Sequence, residues 1–165
     1  MYMETIYFWS HKNGKYKSFS NWYPEIFYNE NKIRFITNEH YMMYKKALLF
    51  NDKDKANEIL LLNNPIDVKK KGREIKNFDE NVWDLNKEKI VYEGCYLKFS
   101  QNENIKKLLL ETEEKIIAEA SPYDKIWGIG LRESDAKKGV NWNGQNLLGN
   151  ILMKVRNKIR NDFGK

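Results

Sequence analysis

The sequence contains a single cysteine, Cys95, which excludes an intrachain disulfide and leaves no thiolate cluster for zinc. Its only histidines are His11 and His40, and no aspartates or glutamates accompany them at ligand spacing, so no metal site is expected. There is no run of the roughly 18 consecutive apolar residues that marks a membrane span. The N-terminal stretch MYMETIYFWS lacks the basic-then-apolar pattern of a secretory leader. A protein free of the membrane, in a reducing cytoplasm, is the expectation. No arginine-rich arm, internal repeat or low-complexity segment is visible, so nothing in the charge pattern declares a nucleic-acid binder.

What is present describes one folded domain, 1–165, long enough for a real core. Aromatic residues make up 14% of the chain, including five Trp and ten Tyr, enough for a stacking surface as well as a core. The formal net charge of +6 favours anionic ligands such as phosphates, nucleotides or nucleic acid.

The stretch Thr37 to Phe50, TNEHYMMYKKALLF, joins an acid and an amine to an apolar helix. At about 100° per residue, Glu39 and Lys46 lie only about 20° apart around the axis, with Met42, Met43, Leu49 and Phe50 on the same side. Tyr41, Tyr44 and Leu48 cover the opposite side, so the segment should be buried. Buried charges must be paired or put to use. Long side chains lean toward the helix N-terminus, so Lys46 can reach back toward Glu39 and leave room for a small group such as a sugar ring. The same spacing also suits a bland reading, with Glu39 complementing the helix dipole behind a Thr37 or Asn38 cap and Lys46 reaching outward.

In chain order, Glu4 to Trp9 reads as a strand, Tyr16 to Tyr23 as a second strand running into a loop, and Phe27 to Phe35 as a hairpin around Asn29–Lys32. A small antiparallel sheet leading into the Glu39 helix is thus expected. Helices follow from Asp52 or Asp54, from Asn64-Pro65 to Gly72, from Asn77 or Asp79 to about Phe99, and over Asn102 to Thr112. Gly94 weakens the pattern of the long one. Lys115 to Ala120 reads as a strand beside the N-terminal sheet, and Arg132 to Val140 as a polar connector.

Ser121 to Gly130, SPYDKIWGIG, interrupts this regularity, with glycines around Asp124 and Trp127 permitting close backbone approach to a ligand. A Pro-anchored turn with Trp127 plugging the core is the plainer alternative. The Asn141–Asn146 stretch, NWNGQN, leads into a last helix and reads as a phosphate cradle or as ordinary capping.

Six stretches in order, SFSNWYP, NEHYMMYKKALLFND, KKGREIKNFD, KFSQN, EASPYDKIWGIG and NWNGQNLLGNILMKVR, together resemble the NADAR family, also called YbiA-like N-glycosidases. The resemblance implies an α+β fold, a compact mainly helical domain with a small antiparallel sheet. It also implies metal-independent hydrolysis of N-glycosidic bonds, with no cofactor. Two substrate classes go with it: phosphoribosylamino-pyrimidine intermediates of riboflavin biosynthesis, or ADP-ribose attached to guanine in nucleic acid. Carried over residue by residue, the family's EHY-x-x-x-x-K motif falls on Glu39, His40, Tyr41 and Lys46. The SPYD-x-x-WG-x-G motif falls on Asp124, Trp127 and Gly128, and the NW-x-GQNLLG motif on Asn141, Trp142, Gly144, Gln145, Asn146 and Gly149. Gly72 and Arg73 match a GR element, and Ser20 and Asn21 an FSN element. Glu39, Lys46 and Asp124 are then the expected catalytic residues, and Ser20, Asn21, His40, Tyr41, Arg73, Trp127, Gly128, Asn141, Trp142, Gln145 and Asn146 the substrate contacts. MMY stands where FQ-type residues are common, and the lysine-rich stretch 132–140 also departs from the pattern. A non-catalytic reader of NAD-derived or ADP-ribosylated ligands would use the same arginine, tryptophan and cradle, but has little reason to keep a desolvated Glu39/Lys46 pair.

Overall fold

The computed structural model describes residues 4–164. In chain order the elements are β1 (Thr5–Phe8), a 3-10 turn (Lys17–Phe19), β2 (Phe27–Tyr28), β3 (Arg34–Phe35), α1 (Asn38–Leu49), α2 (Lys53–Leu60), α3 (Pro65–Gly72), α4 (Glu80–Gln101), α5 (Glu103–Leu110), β4 (Ile116–Glu119), α6 (Glu133–Lys137) and α7 (Leu147–Phe163). The fold is thus mainly helical, with a small antiparallel sheet formed by β2 and β3. Among the described residues no helix is long and apolar enough to cross a membrane. The chain forms two compact units: Pro24–Asn102, and the chain up to Tyr23 together with the chain from Glu103 onward.

In the Pro24–Asn102 unit, local sequence starts each helix. Thr37 accepts the His40 N–H ahead of α1, Asp52 caps α2, Asn64 followed by Pro65 starts α3, and the Asp79 carboxylate accepts from Asn81 and Val82 at the head of α4. The strands β2 and β3 pair antiparallel, with Phe27 opposite Phe35, and both rings pack on Tyr41 of α1. α1 is buried over Asn38–Met43 and at Ala47, as its pattern predicts, and packs against α2, α3 and α4, but Leu48 near its end is exposed. Gly94 does not break α4; it brings the two helices together. A Cβ there would overlap the Asn38 amide oxygen and come within 2.7 Å of the Tyr41 ring. The Asn38 amide N–H in turn donates to Cys95 Sγ at 3.1 Å and to the Val91 carbonyl at 3.4 Å.

The same face of α4 buries a charge. Lys98 is 1% exposed and sits beside the Phe99 ring, its ammonium 5.1 Å from the centroid. Burial lowers its pKa to about 8, against the opposing pull of Cys95 and Glu25. Between about pH 8 and 10.5 the unfolded chain therefore holds a proton that the folded chain has released. Stability rises with pH across that window on this account. Relative to Lys98→Met, which lacks the titrating amine, the parent is expected to gain stability as pH rises from about 8 to 10. Denaturant melts of both proteins across that range check it.

In the other unit, β1 and β4 pair in parallel, Thr5 with Ile116 through Phe8 with Glu119. β4 is the strand expected at Lys115 to Ala120, beside the N-terminal strand. The helix α7 lies on β4, and Gly149 permits it, since a Cβ there would overlap the Ile117 carbonyl oxygen. Ala118, Ala120 and Ile129 form a small core flanked by Tyr7, Leu131 and Ala136. Arg156 is buried and ties α7 to the approach of β4, donating to Thr112 Oγ1 at 2.9 Å and to the Lys115 carbonyl at 2.8 Å.

Two local expectations are corrected. Tyr16 to Tyr23 is not a strand. It curls through i to i+3 bonds from Phe19 to Tyr16, Ser20 to Lys17 and Tyr23 to Ser20, which fits its lack of clean two-residue alternation. Among the described residues, antiparallel pairing is consequently confined to β2 and β3. The stretch 132–140 also holds one short helix, α6, where a connector was expected.

Candidate active site

α1 brings the acid and the amine to adjoining surroundings. Glu39 is 5% exposed, and its carboxylate raises the pKa of Lys46. Lys46 itself is half-buried. Its Nζ donates to the Gly72 carbonyl at 3.4 Å and lies 4.7 Å from the centroid of the Phe78 ring and 5.4 Å from that of Trp83. Burial outweighs Glu39 and, with the nearby Arg73 charge adding to it, lowers the amine's pKa. The lysine therefore holds a larger fraction of neutral, nucleophilic amine near neutral pH than a solvated lysine would.

The end of α3 shapes this environment. A Cβ at Gly72 would overlap the Met43 thioether, so glycine lets α3 close on α1 and present its carbonyl to Lys46. The next residue, Arg73, caps the helix through its backbone. Its guanidinium is exposed and makes no ion pair among the described residues. Phe50, at the end of α1, backs Phe78 with ring centroids 5.3 Å apart. Neither Phe78 nor Trp83 was marked as a site residue by sequence. The available signal was their place in the NFDENVW segment directly after the GR element.

The two motif neighbours of Glu39 have structural roles here. His40 is 1% exposed; its Nδ1 accepts from the Ile36 N–H at 3.2 Å, which leaves Nε2 to donate to the Ile59 carbonyl at 2.8 Å. Both ring nitrogens are engaged by backbone, and burial lowers the pKa, so His40 is a neutral scaffold residue rather than the expected ligand contact. Tyr41 is buried too. Its hydroxyl donates to Glu93 at 3.3 Å, and burial raises its pKa.

In the other unit, Asp124 builds its own loop: Oδ1 accepts from Ile126 N at 2.9 Å and Trp127 N at 2.8 Å. Gly128 is required because a Cβ there would lie 2.9 Å from the Glu119 carbonyl and 3.0 Å from that of Asp124. The backbone carbonyls of Lys125, Ile126, Trp127 and Gly128 accept from the N–H groups of Gln145, Leu147, Leu148 and Asn146, respectively. That arrangement corrects the phosphate-cradle reading: these amides at the start of α7 are already bonded to the loop. Asn146 holds the helix to the strand instead, accepting from Glu119 N at 3.0 Å and donating to the Ile117 carbonyl at 2.9 Å. Gln145 and Asn141 are exposed, Trp142 is 38% exposed and Trp127 is half-buried, all with surface to offer. Ser20 and Asn21 are buried, and Ser20 Oγ accepts from the Trp22 N–H at 3.1 Å.

These features, a mainly helical scaffold with an acid and a desolvated lysine on one buried helix, define a class before they define a relative. The chain belongs to the NADAR family, whose domain model matches residues 7–160 and so runs through both units. It is 46% identical over 147 residues to N-glycosidase R617 of Acanthamoeba polyphaga mimivirus, covering 84% of this chain and 85% of that protein. It is 31% identical over 153 residues to the chloroplastic riboflavin biosynthesis protein PYRR of Zea mays, covering 86% of this chain but 23% of the maize protein. The NMR structure of the E. coli protein YbiA superposes with a TM-score of 0.82 at 25% identity, over 100% of this chain and 90% of YbiA.

Proposed function

We propose that this hydrolase of N-glycosyl bonds acts on a base joined to a phosphorylated ribose, and that Lys46 is its reacting amine. One observation carries the reading: Lys46 is desolvated beside a buried carboxylate and next to an arginine with no ion pair among the described residues. Arg73 then holds phosphate, where a planar guanidinium is well suited. In the chemical step the ring bond between the anomeric carbon and its oxygen opens, the oxygen taking up a proton; the neutral amine adds to that carbon and gives up its protons, and the carbon's bond to the base nitrogen then breaks. The electron pair leaves with that nitrogen, which takes up a proton, and the sugar remains as a Lys46 imine. Water adds to the imine carbon, the carbon–lysine bond breaks, and the free sugar and the amine are restored. Glu39 accepts the proton of the attacking water and stabilises positive charge on the reacting carbon.

The residues of the other unit are proposed from their family motifs alone: Asp124 as a second carboxylate, Trp127 as a stacking surface, and Ser20, Asn21, Asn141, Trp142 and Gln145 as substrate contacts. For the substrate, the name of the maize relative favours a phosphoribosylamino-pyrimidine, and the net charge of +6 favours ADP-ribosyl guanine in a polynucleotide. Product analysis by mass spectrometry decides. The parent and Glu39→Gln are each incubated with both substrates, and the parent alone is expected to release ribose 5-phosphate from the first or ADP-ribose from the second. Tight binding with both substrates left intact would make the protein a reader instead.

A further inference from the structure

We infer that Phe78 and Trp83 are positioning residues for Lys46, and that their ring faces hold its nitrogen by cation–π attraction whenever that nitrogen carries positive charge. The geometry comes first. The ammonium lies 4.7 Å from one ring centroid and 5.4 Å from the other, both inside the roughly 6 Å range of this interaction. Both rings belong to one short, tethered segment. Lys76 N donates to Asp52 Oδ2 at 2.9 Å, Asn77 turns the chain with a left-handed φ of 60°, and the Asp79 carboxylate fixes the first turn of α4. Trp83 N donates to the Asp79 carbonyl at 3.0 Å, and Phe50 buttresses Phe78 from α1. The rings are therefore set before any ligand arrives.

The chemistry explains why rings stand there. An aliphatic wall would desolvate Lys46 and only oppose its charge. Aromatic faces desolvate it equally while returning attraction to a cation, so the nitrogen can be neutral enough to attack yet still stable as a cation afterwards. The charged groups acting on it are Glu39 from α1 and Arg73 after α3, which pull in opposite directions. The ring pair adds to that balance a contribution that needs no further carboxylate. Phe78 is 46% exposed, which leaves part of its surface open beside the reacting nitrogen. The extension to an iminium rests on the reading of Lys46 as the reacting amine, whereas the hold on the ammonium does not.

The test separates the two. Phenylalanines with one, three and five ring fluorines are placed at position 78, which drains the ring face of negative potential with little change of shape. The Lys46 titration is then followed by NMR in protein with carbon-13-labelled lysine and no substrate, with Lys46→Arg used to assign the signal. The midpoint is expected to fall stepwise along the series, by on the order of half a unit in total. Trp83→Phe should retain most of the parent midpoint and Trp83→Leu should lower it, a comparison that stands even if the most fluorinated variant fails to fold. An unchanged midpoint across folded members, with Trp83→Phe and Trp83→Leu alike, would overturn the inference. Because no substrate is present, lack of turnover in every glycosidase assay would leave this result intact and sink only the functional reading.

Discussion

Lys46→Ala is expected to lower turnover by about 10³-fold or more while changing substrate affinity far less, because the side chain removed forms a bond during the reaction. Lys46→Arg should be about as inactive. It keeps the charge and much of the reach, but a guanidinium stays protonated and cannot form an imine. The pH dependence supplies an independent mark. Attack needs the neutral amine, so the rate should climb with pH as Lys46 loses its proton. Burial lowers that pKa, which puts the climb below the ordinary lysine range. The Arg variant's residual rate should lack this limb. Steady-state rates of the three proteins across pH check both statements. A variant retaining a tenth of the parent rate, with the same pH profile, would remove Lys46 from the chemistry.

Gly94→Ala carries the largest expected effect on stability. In an exposed helix the change would help by about 1 kcal/mol. Here the new methyl meets the Asn38 side chain and the Tyr41 ring, two buried groups held by their own hydrogen bonds, and α1 must move off α4 to admit it. A net loss of about 2–4 kcal/mol is expected. At this chain length that corresponds to a fall in Tm of roughly 6–12 °C. Gly72→Ala is the matched comparison. Its methyl meets the thioether of Met43, the flexible end of an adaptable side chain, so the loss should be clearly smaller. Thermal melts of the two variants side by side measure the difference. Equal losses would mean that the α1–α4 contact is not the rigid part of this unit. Because α1 carries Glu39 as well as Asn38, Gly94→Ala should also lower turnover at temperatures where it stays folded.

The parts of this molecule legible in the sequence are those fixed by local chemistry. The helix starts at Thr37, Asp52, Asn64 and Asp79 follow from side chains that accept their own backbone N–H groups. The i, i+7 spacing of Glu39 and Lys46 placed the two on one side of α1, and their electrostatic coupling accords with it. Long-range pairing was less visible. The parallel register of β1 with β4 joins segments far apart in the chain, and no turn between them sets it. The phosphate-cradle reading failed for a tertiary reason: the carbonyls that bind the start of α7 come from a loop many residues upstream. His40 likewise looked like a ligand contact until Ile36 and Ile59 were seen to take both its nitrogens. Lys98 gave a signal that was there to be read, since it falls on the apolar stripe of Val91, Gly94, Cys95 and Phe99 in α4. Trp83 could be read in the sequence as part of the long helix and Phe78 as part of the KKGREIKNFD stretch, but neither as a partner of Lys46.

The most direct test of Lys46 as the reacting amine is to trap the sugar on it. The protein is mixed with a phosphoribosylamino-pyrimidine or with ADP-ribosyl guanine, reduced with borohydride during turnover, digested and mapped by mass spectrometry. One added sugar is expected, carried by the peptide that contains Lys46 and absent from Lys46→Arg. Released base with no adduct on that peptide, or the same adduct in Lys46→Arg, would contradict it.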